Sequence, residues 1–301
     1  MTRSDSDEPG ATPTIAVAIP CYNEAAAVGA VVDQFRAALP GAEIVIFDNN
    51  STDGTGAVAA ARGVRVVAVP KQGKGHAVRA AFATLRSFDV VMMVDGDGTY
   101  PAEAAPLLAA PILEGVAATT VGARQPETGA GAMPPIRALG NILIRSAFQI
   151  FIGPGAGDLL SGYRAFSRAF IEGVDLRSEG FEIETELAVA TVAGRFPAIE
   201  VSVPYRPRIA GTESKLRAFR DGRRILTMIV AEGVRLKPWR AVAAFGVASA
   251  IACGPLLARP STRAIGLGVV AAAFVCLGIV KLRLGSARGG RAATPGRLPR
   301  A

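Results

Sequence analysis

The sequence contains few residues suited to thiol, imidazole or structural-zinc chemistry. It has three cysteines and one histidine among 301 residues. Cys253 and Cys276 lie in apolar runs and Cys21 follows a strand pattern, so the cysteines lack the spacing of a zinc site. This composition predicts neither a disulfide nor a structural zinc ion, and we interpret His76 as incidental to function.

The first ten residues lack the basic start and the long apolar core of a secretory signal peptide. They are acidic and polar, and the first apolar run, Ile15–Pro20, is too short for such a core. We therefore expect a disordered segment over residues 1–13, followed by a globular part that remains in the cytoplasm.

Positive charge is scarce in the first two thirds of the chain and abundant in the last third. Residues 1–205 hold 15 Lys and Arg against 22 Asp and Glu, whereas residues 206–301 hold 18 against 3. A basic half can indicate nucleic-acid binding, but here the basic residues flank apolar runs without interleaved aromatic residues. The pattern favours a membrane surface and argues against nucleic acid as a partner.

Two uncharged apolar runs, Ala241–Ala258 and Ala264–Val280, lie within this basic part. Each is at the short end of the length that crosses a hydrocarbon core of about 30 Å. They predict a transmembrane helical hairpin over residues 241–281 and a basic disordered tail over residues 282–301. Basic residues on both flanks predict a multi-pass protein of the cell membrane with both flanks cytoplasmic; a buried or re-entrant hairpin is the alternative.

A basic amphipathic helix is predicted before the hairpin, within residues 216–240. At 100° per residue, one apolar stripe forms with arginines gathered beside it, and its members are Leu216, Phe219, Leu226, Val230 and Val234. Such a helix suits the surface of an anionic membrane, so membrane lipid is an expected partner. The alternative is a solvated helix packed on the globular domain.

Between Thr14 and Gly122, short β-rich runs alternate with Ala-rich helical patterns. This alternation predicts an α/β fold with a mostly parallel sheet, in a domain of residues 14–215, whose ligands bind at the carboxyl ends of the strands. Residues Arg124–Met133 have no periodicity and predict a mobile loop over that edge. The predicted strands are Ile15–Ile19, Glu43–Phe47, Val64–Val69, Val90–Val94, Ala117–Val121, Tyr163–Ser167 and Ala198–Val203. The predicted helices are Ala25–Ala38, Gly75–Ser87, Pro135–Phe151 and Glu182–Ala193.

Two acids one residue apart, Asp95 and Asp97, follow the apolar strand Val90–Val94. At a sheet edge, two carboxylates suit one hard divalent cation, Mg²⁺ or Mn²⁺, which shares its remaining positions with substrate phosphates. Because acidic turns with glycine are common, this pattern alone is a weak signal.

Polar residues also follow three other predicted strands. Asn23 and Glu24 follow the first and Asp48 ends the second; each suits either a cap or turn, or a contact with a nucleoside. Lys74 stands between two glycines at the start of a helix, an arrangement similar to a phosphate cradle. These segments strengthen the case for a nucleotide site at the sheet edge.

Together these segments resemble the family 2 glycosyltransferases of GT-A fold, over about residues 14–218. The resemblance lies in Pro20-x-x-Asn23-Glu24, Asp48 with Ser51-Thr52-Asp53-Gly54-Thr55, Gly73-Lys74-Gly75 and Asp95-Gly96-Asp97. Three later segments are similar to the branch that makes dolichyl- or polyprenyl-phosphate sugars: Ser161–Phe166, Gly180–Glu182 and Glu213–Leu216.

The resemblance implies an inverting, metal-dependent transfer of a hexose, mannose or glucose, from a nucleotide-sugar donor to a polyprenyl or dolichyl phosphate. Where some relatives have glutamine, this chain has Thr99, which leaves the third metal ligand open. The donor residues it implies are Pro20, Asn23, Glu24, Asp48, Lys74, Asp95, Arg208 and Lys215. Arg124, Arg137 and Asn141 would bind the acceptor phosphate, and Asp95 and Asp97 the Mg²⁺ or Mn²⁺. The catalytic set would be Asp95, Asp97, Arg124 and Arg137.

A phosphate acceptor is already an anion, so this reaction needs no strong general base. Transfer to a hydroxyl of a lipid-linked saccharide, the main alternative, needs a base, for which Glu182, Glu184 or Glu186 are the candidates. A membrane protein that binds nucleotide sugars without catalysis is the alternative of another class. The donor base, the lipid length and the oligomeric state stay open.

Overall fold

The computed structural model describes residues 12–126, 135–155, 157–211, 215 and 218–257. By their packing, the described residues form two compact units. Residues 12–126 and 157–215 belong to the first, and residues 135–155 and 218–257 to the second. The helix that begins at Pro135 therefore groups with the C-terminal helices, whereas the sequence placed it in the domain of residues 14–215.

In the described part of the chain, the first unit is built around a seven-stranded sheet. Its strands are β1 Ile15–Cys21, β2 Glu43–Asp48, β3 Arg65–Ala68, β4 Val90–Met93, β5 Thr119–Pro126, β6 Arg164–Ser167 and β7 Ala198–Tyr205. Their order is β3-β2-β1-β4-β6-β5-β7, and of these strands β6 alone runs antiparallel to its neighbours. The predicted α/β fold with a mostly parallel sheet is confirmed.

The helices follow the predicted alternation with strands. They are α1 Ala25–Ala38, α2 Thr55–Ala60, α3 Lys74–Leu85, α4 Ala105–Leu113, α5 Pro135–Phe151, α6 Arg168–Gly173, α7 Ile183–Gly194, α8 Ala218–Leu236 and α9 Pro238–Leu257. Val17 and Ile19 of β1 pack with α1 and α4, whereas Ala16 and Ala18 pack with α3. Successive strand residues point to opposite faces, so β1 is apolar throughout because both faces of the sheet are buried.

β5 is longer than predicted. It pairs with β7 as far as Pro126, which lies opposite Tyr205. Arg124 is therefore a strand residue rather than the first residue of a loop. The backbone ladder with β7 orders this segment although its side chains show no periodicity, and residues 127–134 of the predicted loop lie outside the described residues.

The buried face of α8 matches the predicted apolar stripe only in part. Val234 of the stripe is buried, but Ile225 and Ile229 are buried as well, and Phe219 of the stripe is 81% exposed. Gly233 lies on the same side as the two isoleucines, and a Cβ atom there would be 2.6 Å from the Cβ atom of Phe151 in α5. The close packing of α5 at this glycine is a tertiary contact that helical periodicity alone does not show.

Among the residues that the structure describes, no helix is both long enough and apolar enough to cross a membrane. Helix α9 covers most of the first predicted span, and the second, Ala264–Val280, lies outside the described residues, as do the tail of residues 282–301 and residues 1–11. The transmembrane hairpin over residues 241–281 stays a prediction.

Candidate functional site

The polar residues predicted at the sheet edge come together at the carboxyl ends of β1, β2 and β4. Cys21, the last residue of β1, lies opposite Asp48, the last residue of β2, and Pro20 lies opposite Phe47. Asp95 follows the end of β4, which is paired with the other side of β1. The parallel arrangement of these strands explains why residues distant in sequence share one edge.

Asp97 is buried at this edge and is held from two sides. One oxygen, Oδ1, accepts hydrogen bonds from the Thr99 amide at 3.0 Å and from the Thr99 hydroxyl at 2.7 Å. The other, Oδ2, lies 2.7 Å from Nη1 of Arg208. Thr99, which stands where some relatives have glutamine, thus orients the side chain of Asp97.

Glu24 faces the same guanidinium. Its Oε1 lies 3.9 Å from Nη1 of Arg208, and its Oε2 is buried without a hydrogen-bond partner in the described part of the chain. Burial and the charge of Asp97 raise the pKa of Glu24 to about 7, although Lys215 and Arg208 act in the opposite direction. Three residues predicted for the donor, Glu24, Arg208 and Lys215, therefore form one charged group with the predicted metal ligand Asp97.

Lys74 forms a second charged group with Asp95 and Glu184. Its Nζ lies 2.5 Å from Oδ1 of Asp95 and 2.5 Å from Oε1 of Glu184. Burial alone would lower the pKa of Lys74, but the two carboxylates raise it above its usual range. Burial raises the pKa of Glu184, and the nearby Lys74 charge opposes that shift. The lysine is therefore a fixed, buried positive charge beside the first acid.

Asp95 also lies against the backbone of Gly162. A Cβ atom at position 162 would be 2.3 Å from Oδ2 of Asp95, so only glycine permits this contact. The Gly162 amide donates to the Tyr100 hydroxyl at 3.0 Å, and that hydroxyl lies 3.3 Å from Oγ of Ser161. This network fixes the segment before β6 against the acid.

Arg124 is engaged by an acid in the same segment. Its Nε and Nη2 lie 2.6 and 2.9 Å from the two oxygens of Asp158, and its guanidinium lies 5.5 Å from the centre of the Tyr205 ring. Burial would raise the pKa of Asp158, but the hydrogen bonds and charge of Arg124 lower it. Fully buried Arg164 donates to the carbonyl of Asp158, and so holds the same segment. The role of Arg124 toward an acceptor phosphate stays a prediction.

The glycines on either side of Lys74 do not form the phosphate cradle suggested by the sequence. The Gly73 amide donates to Oδ1 of Asn49 at 2.6 Å, and the Gly75 amide donates to the Glu179 carbonyl at 3.0 Å. A Cβ atom on Gly75 would be 2.0 Å from the Ser178 carbonyl oxygen. The absence of side chains at these glycines allows the backbone of residues 178–179 to pack against them. The positive charge at this position therefore comes from the Lys74 side chain and not from backbone amides.

The three glutamates at the start of α7, Glu182, Glu184 and Glu186, make different contacts. Glu186 accepts a hydrogen bond from the Ser178 amide at 2.8 Å, and Glu182 accepts one from the Gly180 amide at 3.1 Å. Both therefore hold the loop before α7. Of the three, Glu184 alone is joined to the charged residues of the sheet edge.

The segment of residues 51–55 is mainly structural. Oδ1 of Asn23 accepts from the Thr52 amide at 2.8 Å, so Asn23 ties two loops together and does not cap α1. Asp53 accepts from the Ala25 amide at 2.9 Å and thus binds the first turn of α1 from another loop. Oδ1 of Asp48 accepts from the Ser51 amide at 3.0 Å, and Oδ2 lies against Gly56 of α2, where a Cβ atom would be 2.7 Å away. The contact of Asp48 with the nucleoside stays a prediction.

Two of the predicted acceptor residues belong to the second unit. Arg137 and Asn141 both lie in α5. The side chain of Arg137 is outside the described part of the chain. The assignment of these two residues to the acceptor phosphate stays a prediction.

The paired acids suit a divalent cation in the type of atoms they supply. Among the described residues, no three acidic, histidine or cysteine side chains are grouped as a metal site. Asp95 and Asp97 offer carboxylate oxygens, the ligands that Mg²⁺ and Mn²⁺ take, and two protein ligands leave positions for phosphate oxygens and water. In the structure, Lys74 and Arg208 neutralise these acids. These two carboxylates therefore suit a divalent cation whose remaining coordination positions are filled by substrate.

The fold and the charged edge define an α/β enzyme of the GT-A class, and sequence comparison identifies the family. Residues 16–174 match the model of Glycosyl transferase family 2. The chain is 37% identical over 208 residues to Glycosyltransferase AglJ of Haloferax volcanii, which covers 69% of this chain and 68% of that protein. The chain therefore belongs to glycosyltransferase family 2.

Two further relatives have names that describe their reactions. The chain is 32% identical over 216 residues to the dolichyl-phosphate hexose transferase of Haloferax volcanii, covering 72% of this chain and 92% of that protein. It is 30% identical over 211 residues to the polyprenol monophosphomannose synthase of Mycolicibacterium smegmatis, covering 65% of this chain and 78% of that protein.

A solved structure shows the same fold. The glucosyl-3-phosphoglycerate synthase of Mycobacterium tuberculosis, in complex with Mn²⁺, UDP-glucose and phosphoglyceric acid, superimposes with a TM-score of 0.58. The match covers 76% of this chain and 85% of that chain at 24% identity. At this identity the likeness establishes the GT-A fold alone.

Proposed function

We propose that this glycosyltransferase transfers a hexosyl group, mannose or glucose, from a nucleoside diphosphate sugar to a polyprenyl phosphate. The arrangement of Asp95 and Asp97 carries the proposal. Both acids lie at the carboxyl edge of the sheet, each beside a cation. Asp95 lies 2.5 Å from Lys74, and Asp97 lies 2.7 Å from Arg208. Alternating acids and cations suit a diphosphate that is neutralised partly by a metal ion and partly by the protein.

In this proposal, different residues of the sheet edge bind different parts of the nucleotide-sugar donor. Glu24 and Asp48 are acceptor groups for the ribose and base, and Arg208 and Lys215 are cations for the diphosphate. A divalent cation held by Asp95 and Asp97 would supply further neutralisation of the leaving diphosphate. A phosphate oxygen of the acceptor attacks the anomeric carbon as the nucleoside diphosphate departs, so the configuration at that carbon is inverted.

Two observations support a phosphate as the acceptor. The relatives named dolichyl-phosphate hexose transferase and polyprenol monophosphomannose synthase share 32% and 30% of aligned residues with this chain. Each of the three glutamates that could serve as the base for a hydroxyl acceptor is bound to another part of the protein, Glu182 and Glu186 to backbone amides and Glu184 to Lys74. An anionic phosphate needs no base, so its transfer does not require any of the three to leave these contacts.

We also propose that the enzyme acts at the cytoplasmic face of the cell membrane, anchored by a hairpin over residues 241–281. The apolar runs and their basic flanks in the sequence support this anchor. Phe219, Arg223 and Arg224 are exposed on α8, the combination expected of a helix that meets anionic lipid.

The experiment is a product screen with the purified full chain in detergent. Polyprenyl phosphate is incubated with UDP-glucose or GDP-mannose in Mg²⁺ or Mn²⁺, and the lipids are analysed by mass spectrometry. One donor should give a polyprenyl-phosphate hexose, and EDTA or Asp97→Asn should reduce its formation by orders of magnitude. Asp175→Asn, which changes an exposed acid, is the control and should leave product formation unchanged. Full activity in EDTA would exclude the metal, and absence of lipid product with every donor would exclude the proposed reaction.

A further inference from the structure

The charged group of Lys74, Asp95 and Glu184 contains a buried carboxylate oxygen to which none of the described residues donates a hydrogen bond. Glu184 is only 4% exposed, and its Oε1 is bound by Lys74. Its Oε2 is buried and has no hydrogen-bond partner among the described residues. Buried polar atoms are nearly always hydrogen-bonded, so an unpartnered acceptor beside a substrate site indicates a donor that a ligand brings.

The position of Glu184 restricts which ligand can donate a hydrogen bond to its Oε2. Oε1 of Glu184 and Oδ1 of Asp95 each lie 2.5 Å from the same Nζ atom of Lys74, so they are at most twice that distance apart. The Asp95 side chain is 26% exposed, whereas that of Glu184 is nearly covered. A ligand that reaches Asp95 from solvent therefore also lies beside Glu184.

The chemistry of a carboxylate selects one part of the donor. A diphosphate has no hydrogen-bond donor at neutral pH and would be repelled by Glu184, because both are anions. The ribose and base also carry hydrogen-bond donors, but Glu24 and Asp48 are the acceptors proposed for them, which leaves the hydroxyls of the hexosyl group to donate to Oε2. Lys74 keeps Oε1 in place and so fixes the direction of the remaining oxygen.

We propose that Glu184 is a specificity residue for the sugar, whose Oε2 accepts a hydrogen bond from a hydroxyl of the hexosyl group. This inference rests on the proposed function, because it assigns a part of the same donor site. Glu182 also has a buried Oε2 without a partner among the described residues, but only Glu184 is joined through Lys74 to Asp95 at the sheet edge, whereas Glu182 and Glu186 bind backbone amides of the loop before α7.

The test separates binding of the sugar from binding of the nucleotide. Glu184→Gln retains a carbonyl oxygen for Lys74 but places an amide nitrogen, which cannot accept a hydrogen bond, at the second position. Affinities of the full chain for UDP, UDP-glucose, GDP and GDP-mannose are measured by calorimetry. We expect the variant to bind the productive nucleotide sugar roughly 10- to 100-fold more weakly, the effect of losing a hydrogen bond to a charged group. Its affinity for the matching nucleoside diphosphate should change by less than about twofold, within ordinary surface-mutation effects.

Deoxy analogues of that nucleotide sugar identify the hydroxyl. Removal of the contacted hydroxyl should weaken binding to the wild type but cause no further loss in Glu184→Gln. Glu186→Gln is the matched control, and it should leave the ratio of nucleotide-sugar to nucleotide affinity unchanged. A change in melting temperature of either variant is monitored in parallel.

Several results would overturn the inference. Equal losses for nucleotide and nucleotide sugar would show that Glu184 acts only by holding Lys74 and Asp95. If every deoxy analogue binds the wild type as tightly as the parent sugar, no hydroxyl is recognised, and this outcome does not depend on the folding of any variant. Failure of the wild type to bind any of the four nucleotides would instead contradict the proposed function itself.

Discussion

Arg208 lies 2.7 Å from Asp97, and two backbone hydrogen bonds also join the segments that carry these residues. The Arg206 amide donates to the Thr99 carbonyl at 2.9 Å, and the Ile209 amide donates to the Asp97 carbonyl at 3.3 Å. The segment after β7 therefore follows the turn that carries the second acid. In the proposed function, Arg208 exchanges its contact with Asp97 for a contact with the donor diphosphate.

This pairing predicts that Arg208→Ala weakens nucleotide-sugar binding by roughly 10- to 150-fold, the value of a hydrogen bond to a charged group. Arg65→Ala is the control, since Arg65 begins β3 and makes an exposed pair with Glu43 at 3.6 Å. Calorimetric titration with nucleotide sugar measures both. Equal affinity in the two variants would remove Arg208 from the donor site.

Gly162→Ala should disable the enzyme while the fold survives. The new Cβ atom would be 2.3 Å from Oδ2 of Asp95, so the acid must move, and a displacement of about 1 Å costs on the order of 100-fold in turnover. Gly222→Ala in α8, where nothing lies within 4 Å of the added atom, should leave turnover unchanged. Steady-state rates and melting temperatures of both variants decide the matter; normal turnover in Gly162→Ala would show that the position of Asp95 is not critical.

The sequence was sufficient to predict the sheet edge but not the contacts made across it. Asp48 and Asp95 follow apolar strands, and parallel strands with crossover helices bring such residues to one edge. The pairing of Lys74 with Glu184 depends on the packing of α7 beside α3, and no periodicity in either segment shows it. The signal that could have found it is the unusual acid at a position that helical spacing places among apolar neighbours.

Other differences have local causes. Helix α4 was not predicted because Pro111 lies inside it, and proline normally ends a helix. Arg124 was assigned to a loop because its segment lacks alternation, yet the ladder with β7 makes it strand. Asn23 was predicted as a cap or a ligand; it does not cap α1, because its side chain binds the Thr52 amide of another loop, and its role as a ligand stays a prediction.

Asp158→Ala should lower the free energy of unfolding by about 3 kcal/mol. The change removes the partner of the largely buried guanidinium of Arg124, and an unpaired buried charge is strongly destabilising. Asp175→Ala breaks an exposed pair with Arg177 and should cost less than about 0.5 kcal/mol. Urea unfolding of the two variants measures the difference, and similar losses would mean that the Arg124 pair is no more important than a surface pair.

Glu24 predicts a specific dependence of stability on pH. In the folded protein its pKa is raised to about 7 by burial and by Asp97, so it keeps its proton where the unfolded chain, with an ordinary value of 4.5, has lost it. The folded state binds more protons in this window, and the Glu24 contribution to the unfolding free energy therefore falls as pH rises from 4.5 to 7.

Glu24→Gln stays neutral and escapes this loss. Near pH 4.5 the variant and the wild type should have similar stability, and at pH 8 the variant should be more stable by about 1–3 kcal/mol. Denaturant titrations across this range test the sign. A difference that is constant with pH would show that Glu24 ionises normally.

Transfer to two matched lipids is the most direct test of the central claim. The purified full chain is given the productive nucleotide sugar and either a polyprenyl phosphate or the corresponding polyprenol, which has the same chain and a hydroxyl in place of the phosphate. Radiolabelled hexose in the lipid fraction is then counted. The proposed reaction predicts label in the polyprenyl phosphate alone, because an anionic acceptor needs no general base, whereas Glu182, Glu184 and Glu186 are each bound to a backbone amide or to Lys74. Comparable labelling of the polyprenol, or of neither lipid, would contradict it.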